Sequence, residues 1–351
     1  MRVSCLVLLL IPWMTLKAGG PEGRRPTSGK GQAAGAVQVF RAAPAFKTGQ
    51  AAGTGQVPRS VWLPSDASDS LPGIRAGIPE RRAIVWVAGT QAAAYGASLL
   101  ALNHAWYKEY PRSSLHFHND MGDWLQMDKM GHVTTSYHLG RTSAGAFRLA
   151  GLDRKRSAWV GTASAYAFMT TIELLDGHSA QWGFSMGDQL ANTLGAASFL
   201  VQELWYQEQP LLWKYSFRTT PLAGHRPDLL GNSLAERLIK DYNGMTFWLS
   251  VNLSSTLGSQ ALPPWLNLSV GYGAYGMLGG SSNPAMHHGQ PLPYMERYRR
   301  WFLAPDVDLT RIATDSRLLK AVLSAVNFLK FPTPALEYNR ITGWGIHLVF
   351  F

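Results

Sequence analysis

Ionisable residues interrupt two apolar stretches of this sequence, and their spacing could build one reactive site. Asp128 and His132 are four residues apart, with Lys129 between them. On a helix, residues at this spacing share one face, so the carboxylate could orient the imidazole or both could approach one ion. Glu173 follows the largely apolar segment 166–172. A buried glutamate needs a partner, and His132 or Lys129 is the natural candidate.

A second polar segment follows about a dozen residues after Glu173. Ser185 and Asp188 match a helix capping box, and Asn192 lies one turn beyond Asp188 on the same side. Burying such groups costs on the order of several kcal/mol unless they are paired or hydrogen-bonded. We therefore predict that the two segments and Glu173 meet in one buried polar cluster.

The predicted cluster is compatible with three kinds of chemistry. His132 and Glu173 could act as a catalytic acid–base pair with Asp188 as orienting group. A divalent metal could be held by the acidic residues and the histidine, namely Asp128, His132, Glu173 and Asp188. The cluster could also be purely structural, with Asp128 as a helix cap and His132 as a hydrogen-bonded core residue. No organic cofactor is predicted, and neither His-Glu-x-x-His nor Gly-x-Ser-x-Gly occurs.

Four helical stretches surround these residues. Apolar periodicity predicts helices over residues 83–106, 128–150, 157–175 and 185–206, with short connections that favour an antiparallel four-helix bundle within residues 79–209. The first stretch contains no charged residue and is long enough to cross a bilayer. Its polar residues Gln91, Asn103 and His104 favour the bundle instead.

The C-terminal part of the chain, residues 210–351, has a different character. Alternating patterns predict strands at residues 248–253, 265–272, 300–309, 335–339 and 344–350, and one amphipathic helix at 316–329. These are fewer strands than the minimum of about eight for a closed membrane barrel. The predicted fold class is thus α+β, with a helical bundle followed by a small antiparallel β-rich unit.

The N-terminal region predicts export. Residues 1–18 contain a short basic start and an apolar run typical of a signal peptide, and residues 19–78 form a Gly/Ala-rich linker. The single cysteine, Cys5, lies inside the signal, so a mature chain would contain no thiol. Much of the net charge of +10 lies in the linker, where basic residues could bind anionic membrane or envelope components or could simply be solvated. Nucleic acid is not an expected partner, because no groove-reading motif is present.

The polar motifs also resemble a known family. Asp128-Lys-Met-Gly-His132, Thr170-Thr-Ile-Glu173 and Ser185-x-x-Asp188-x-x-x-Asn192 resemble YfiM-like predicted periplasmic lipoproteins of unknown function. A fainter likeness links the same elements to VanZ-like membrane proteins. The resemblance implies an envelope location and supplies no reaction. The sequence departs from the lipoprotein pattern, because no cysteine follows the apolar run.

Three functions therefore remain open. The first is a non-enzymatic, membrane-associated envelope protein whose cluster is structural or binding. The second is an envelope enzyme, an acid–base or metal-assisted hydrolase or transferase, acting on a lipid or cell-wall intermediate. The third is an accessory to an outer-membrane β-barrel. The expected location is the periplasm or the outer membrane, with the inner membrane as the alternative.

Overall fold

The computed structural model describes residues 81–107 and 110–351, so the predicted signal peptide (1–18) and linker (19–78) lie outside the described residues. The first part of the described chain is helical. Its helices are α1 (Arg81–Leu102, continued by a π-helical turn Asn103–Tyr107), α2 (Met127–Leu149), α3 (Arg154–Gly177) and α4 (Met186–Trp205). All four predicted helices are confirmed.

Side-chain caps fix where two of these helices begin. The Asp153 carboxylate accepts a hydrogen bond from the Arg156 backbone N–H at 2.9 Å and starts α3. The Ser185 hydroxyl oxygen accepts one from the Asp188 N–H at 3.1 Å and starts α4. Each cap satisfies an N–H group that has no partner within the first turn of a helix. The capping role predicted for Ser185 is thereby confirmed.

The predicted four-helix bundle is not confirmed. Helices α2, α3 and α4 pack on one another, and α2 lies between the other two and the C-terminal sheet. Helix α1 runs parallel to α3, since Tyr95 stacks on Phe168 and the Tyr107 hydroxyl donates to Asp176 further along both helices. Only Ser98 and Leu102 of α1 are buried. Helix α1 has apolar residues on all its sides, whereas a helix of a soluble bundle has one apolar face that it buries against its neighbours.

Glycine allows α2 and α4 to approach closely. A Cβ atom on Gly195 would lie 2.2 Å from the carbonyl oxygen of Val133. This contact is shorter than any real packing distance, so the α2–α4 crossing requires glycine at position 195. The crossing lies next to His132 on α2 and one turn from Asn192 on α4, and therefore sets the distance between the polar residues of the two helices.

The C-terminal part forms a six-stranded antiparallel sheet in the order β1-β2-β3-β6-β7-β8. Its strands are β1 (Leu211–Phe217), β2 (Met245–Asn252), β3 (Leu266–Tyr275), β6 (Tyr298–Val307), β7 (Thr333–Asn339) and β8 (Gly343–Phe350). A two-stranded hairpin separates β3 from β6, formed by β4 (Met286–His287) and β5 (Gln290–Pro291). The helices are α5 (Pro227–Leu230), α6 (Leu234–Lys240), α7 (Leu253–Leu257) and α8 (Arg317–Val326). The α+β class and all five predicted strands are confirmed, and β1, β4 and β5 are additional strands.

One face of the sheet carries a buried ionic network. The fully buried Lys214 ammonium lies 3.0 Å from Asp306. The Arg300 guanidinium donates from Nε and from Nη2 to the two oxygens of the Glu337 carboxylate, each at 2.6 Å. Burial would raise the pKa of Glu337, but the hydrogen bonds and charge of Arg300 outweigh it and hold the pKa at about 2. The carboxylate is therefore ionised inside the protein.

The opposite face of the sheet is apolar and, over its second half, exposed. Val270, Leu303 and Ile346 share one row of the register on this face and are all exposed. Over β1 and β2 the same face is covered by the start of α2, where Met127 packs with Tyr215 and Phe247 in one core. The sheet thus keeps its charges inside and presents apolar side chains outside.

Replacing Gly195 with alanine tests the close approach of α2 and α4. Because the added methyl group would overlap the Val133 carbonyl, we expect Gly195→Ala to lower the free energy of unfolding by about 2 kcal/mol. The matched control is Gly145→Ala in α2, where a Cβ meets nothing within 4 Å. That change should raise the stability by up to about 1 kcal/mol through backbone entropy. Thermal melting followed by circular dichroism in detergent measures both, and a Gly195→Ala protein that melts at or above the wild-type temperature contradicts the crossing.

Candidate functional site

The predicted polar cluster exists and lies between α2, α3 and α4. Helix α2 contributes Asp128, Lys129 and His132, helix α3 contributes Glu173, and helix α4 contributes Asp188 and Asn192. All of these side chains are buried, as is the capping residue Ser185. The structure therefore brings together every residue that the sequence assigns to the cluster.

The Lys129 ammonium group is the cationic centre of the cluster. Its nitrogen Nζ lies 2.7 Å from Asp188 Oδ1 and 3.7 Å from Asp128 Oδ2, and it contacts Asp120 Oδ2 at hydrogen-bond distance. One ammonium group thus faces carboxylates from helix α2, from helix α4 and from the loop before α2. Charge-assisted hydrogen bonds of this kind are about twice as strong as neutral ones.

His132 occupies the other side of the same carboxylates. Its Nδ1 donates to Asn192 Oδ1 at 3.0 Å, which fixes the ring orientation, and lies 3.5 Å from Glu173 Oε1. Its Nε2 lies 3.9 Å from Asp188 Oδ1 and 4.0 Å from Asp128 Oδ1. Burial lowers the pKa of His132. The negative charges of the three carboxylates outweigh burial and raise that pKa above its ordinary value, which favours the imidazolium form.

Two hydroxyl groups tie the cluster to the rest of the protein. The Tyr242 hydroxyl, from the segment between α6 and β2, donates to Asp128 Oδ1 at 2.6 Å. The Ser185 hydroxyl donates to Asp120 Oδ1. The first contact connects the C-terminal part to α2, and the second connects the start of α4 to the loop before α2. The cluster therefore joins segments that are far apart in the chain.

The backbone entering α2 is strained next to the cluster. Trp124, Leu125 and Gln126 have φ values of 49°, 49° and 65°, in the left-handed region that non-glycine residues rarely adopt. Two hydrogen bonds hold this conformation: Tyr272 donates to the Leu125 carbonyl, and Arg299 donates to Gln126 Oε1 at 2.7 Å. Such strain costs about 1–3 kcal/mol per residue and is concentrated at functional sites.

Two members of the cluster are missed by the sequence reasoning. Asp120 lies in a polar loop that gives no periodic signal, and its role depends on contacts with Lys129 and Ser185. Tyr242 lies more than a hundred residues from Asp128, in a short connection after α6. No local pattern marks either residue, because a hydrogen bond between distant segments leaves no trace in helix or strand periodicity.

The geometry permits two reactive uses of the cluster. Glu173 Oε1 lies 3.5 Å from His132 Nδ1, so a small movement would bring the two side chains within the distance of about 2.6–3.2 Å that an acid–base pair needs. Ligand atoms of Asp128, His132 and Asp188 lie within 4.8 Å of one another, a set of one nitrogen and two oxygens that suits a divalent metal. Lys129 competes with a metal, since its ammonium already holds Asp188 Oδ1. The donor set therefore fits a metal only if Lys129 moves away.

Comparison with known proteins finds a match to one family model over part of the chain. Residues 117–203 match the model of a family described as a predicted periplasmic lipoprotein, DUF2279. The matched segment runs from the loop containing Asp120 to the end of α4 and covers about a quarter of the chain, including the whole cluster except Tyr242. No curated protein and no solved structure matches the chain. The match supports an exported protein of the cell envelope, located in the periplasm or associated with the outer membrane, as the sequence predicts.

Proposed function

We propose that this protein is a membrane-associated component of the bacterial cell envelope and that its buried cluster has a structural role. The observation that carries the proposal is the placement of charge in the helical part. No exposed residue is charged on α4 or on the part of α3 after Arg156. The charged residues of these segments include Glu173 on α3 and Asp188 and Glu203 on α4, and all three are buried. A soluble protein shows the reverse distribution, since charged residues are almost never fully buried unless paired.

The exposed apolar residues form long stripes along the helices. On α4 the stripe consists of Met186, Leu190, Leu194, Val201 and Trp205. This stripe is roughly 28 Å long at the helical rise of 1.5 Å per residue, close to the thickness of about 30 Å of a bilayer interior. Among the described residues, α1 is the one helix long and apolar enough to cross a membrane. We therefore propose that α1, α3 and α4 present a lipid-facing surface.

Aromatic and basic residues gather at one end of this surface. Helices α1 and α3 run parallel and α4 runs antiparallel to them, as shown by contacts of Arg154 with Glu203 near the ends of α3 and α4. Trp86, Trp159 and Trp205 therefore lie at the same end and are 76%, 57% and 77% exposed. The exposed cations at this end are Arg81, Arg82, Lys155 and Arg156. Tryptophan residues flanked by Lys and Arg are typical of the part of a membrane protein that lies at the membrane–water interface.

The sheet offers a second apolar surface of the same kind. Trp301, Tyr338 and Trp344 lie in one row of the register and are exposed, while the ionic network occupies the other face. Apolar-out and polar-in alternation is typical of outer-membrane strands. This observation favours, as a second candidate, a role as an accessory to an outer-membrane β-barrel. Mobility on a gel that changes with heating would support that candidate.

The cluster itself is proposed to be a structural centre. Its carboxylates surround Lys129 and His132 at 2.7–4.0 Å and are buried, so both basic groups have acidic partners within the protein. The acid–base enzyme and the divalent-metal site at Asp128, His132, Glu173 and Asp188 remain the alternatives. Metal analysis of the purified protein, with Asp188→Asn as the comparison, tests the metal alternative.

Neutralising Glu173 separates the structural role from the enzymatic one. Removing one partner of a buried ion pair costs about 3–5 kcal/mol, so we expect Glu173→Gln to lower the unfolding free energy by about 3 kcal/mol. The control is Glu296→Gln, which breaks an exposed pair with Arg340 and should cost less than about 1 kcal/mol. Chemical denaturation in detergent measures both. A Glu173→Gln protein as stable as the wild type contradicts the structural role and favours the enzyme.

Cysteine labelling tests the lipid-facing surface. Cys5 is the only cysteine, so Cys5→Ser gives a background without thiols. Leu194 on α4 and Leu257 on α7 are similarly exposed, at 56% and 67%. In native membranes, we expect Leu194→Cys to resist a water-soluble maleimide because lipid covers it, and to react after the protein is denatured in detergent. Leu257→Cys should react in both conditions. Equal labelling of the two positions in membranes would contradict the proposed surface.

A further inference from the structure

A second group of metal-binding side chains lies in the C-terminal part, away from the buried cluster. Asp228 at the start of α5 meets His287 and His288 of the β4–β5 hairpin. Each of the three offers a ligand atom, and these atoms lie within 4.8 Å of one another. The three residues come from two segments about sixty positions apart, so the fold brings them together.

The distances in this group match those between the ligands of one metal ion. Asp228 Oδ1 lies 3.0 Å from His287 Nε2, and the ring centroids of His287 and His288 are 4.0 Å apart. Ligands at about 2.0–2.2 Å from a zinc ion are themselves about 3–4 Å apart. The ligand atoms of all three residues lie within 4.8 Å of one another, so holding one ion would require the group to close slightly.

The hairpin turn is strained in a way that brings the two imidazoles together. His288 and Gly289 form a two-residue turn with φ values of 47° and 75°. This turn type favours asparagine or glycine at the first position, so histidine there is unfavourable. In an extended strand, neighbouring side chains point to opposite faces. The left-handed conformation of His288 instead places its ring beside that of His287.

The group is open to solvent and its carboxylate is oriented. Asp228 and His288 are exposed, and His287 is partly exposed. The Arg226 guanidinium lies 3.8 Å from Asp228 Oδ2, the oxygen that does not face His287. This contact leaves Oδ1 directed at the imidazole, and the exposed side of the group leaves room for water as further ligands.

We propose that Asp228, His287 and His288 form a site for a divalent transition-metal ion of the zinc class. Two imidazoles and one carboxylate are ligands that such ions prefer, and three protein ligands with open positions permit exchange. The site is independent of the lipid-facing surface and of the buried cluster. In the cell envelope it would take up metal from outside the protein or accept a further ligand from a partner.

Zinc titration of the metal-stripped, full-length protein in detergent tests the site. We expect one zinc ion to bind per chain at this site, and His287→Ala, Asp228→Asn and His288→Asn each to weaken that binding at least tenfold. The control is His118→Asn, an exposed histidine in the loop before α2, which should bind zinc as the wild type does. Because asparagine suits the left-handed turn, His288→Asn should also raise the melting temperature of the zinc-free protein.

The stoichiometry distinguishes this site from any metal in the buried cluster. Combining the three substitutions should reduce the number of bound zinc ions by one, whatever the cluster binds. A combined variant with the same stoichiometry and affinity as the wild type would overturn the proposal. A wild-type protein that takes up no zinc would overturn it as well.

Discussion

The attraction between one buried ammonium group and several carboxylates is the constraint on which the helical part depends. Lys129 reaches Asp120, Asp128 and Asp188, which belong to the preceding loop, α2 and α4. Once these charges are buried, removing the Lys129 ammonium leaves the carboxylates without their shared cation, which is far more costly than losing a surface ion pair. The carboxylates around His132 raise its pKa against the effect of burial, and Glu173 of α3 faces the ring. Helix packing and charge compensation therefore specify the same arrangement.

Local patterns in the sequence predict much of this arrangement. The spacing of Asp128 and His132 places both on one face of α2, and Ser185 caps α4 as its spacing with Asp188 predicts. Glu173 follows an apolar segment and is buried, as its position in that segment indicates. These residues are predictable because helix periodicity and capping act over a few neighbouring positions.

Contacts between distant segments are not predictable in this way. Asp120 and Tyr242 enter the cluster from a loop and from a connection in the C-terminal part. The sequence also does not predict β1, because Lys214 in its middle is typical of a solvated linker, whereas the structure buries it beside Asp306. The apolar sequence of α1 likewise does not predict that only Ser98 and Leu102 of this helix are buried. In each case the deciding interaction lies in the tertiary structure.

The two parts of the protein share one distribution of charge. In the helices and in the sheet, ionised groups pair inside while apolar side chains cover much of the outside. The proposed contact with lipid would account for this distribution, since apolar surface is stable in a bilayer and paired charges are shielded from it. The exposed group of Asp228, His287 and His288 is different, because its polar atoms face solvent, where a dissolved ion can reach them.

A double-mutant cycle between Lys129 and Asp188 measures whether their buried ion pair stabilises the helices. The unfolding free energies of Lys129→Met, Asp188→Asn and the combined variant would be compared with that of the wild type by chemical denaturation in detergent. If the buried pair stabilises the helices, the double variant loses less than the sum of the single losses, with a coupling energy of about 1–3 kcal/mol. Losses that add to within about 0.5 kcal/mol would contradict the account, because independent side chains behave in that way.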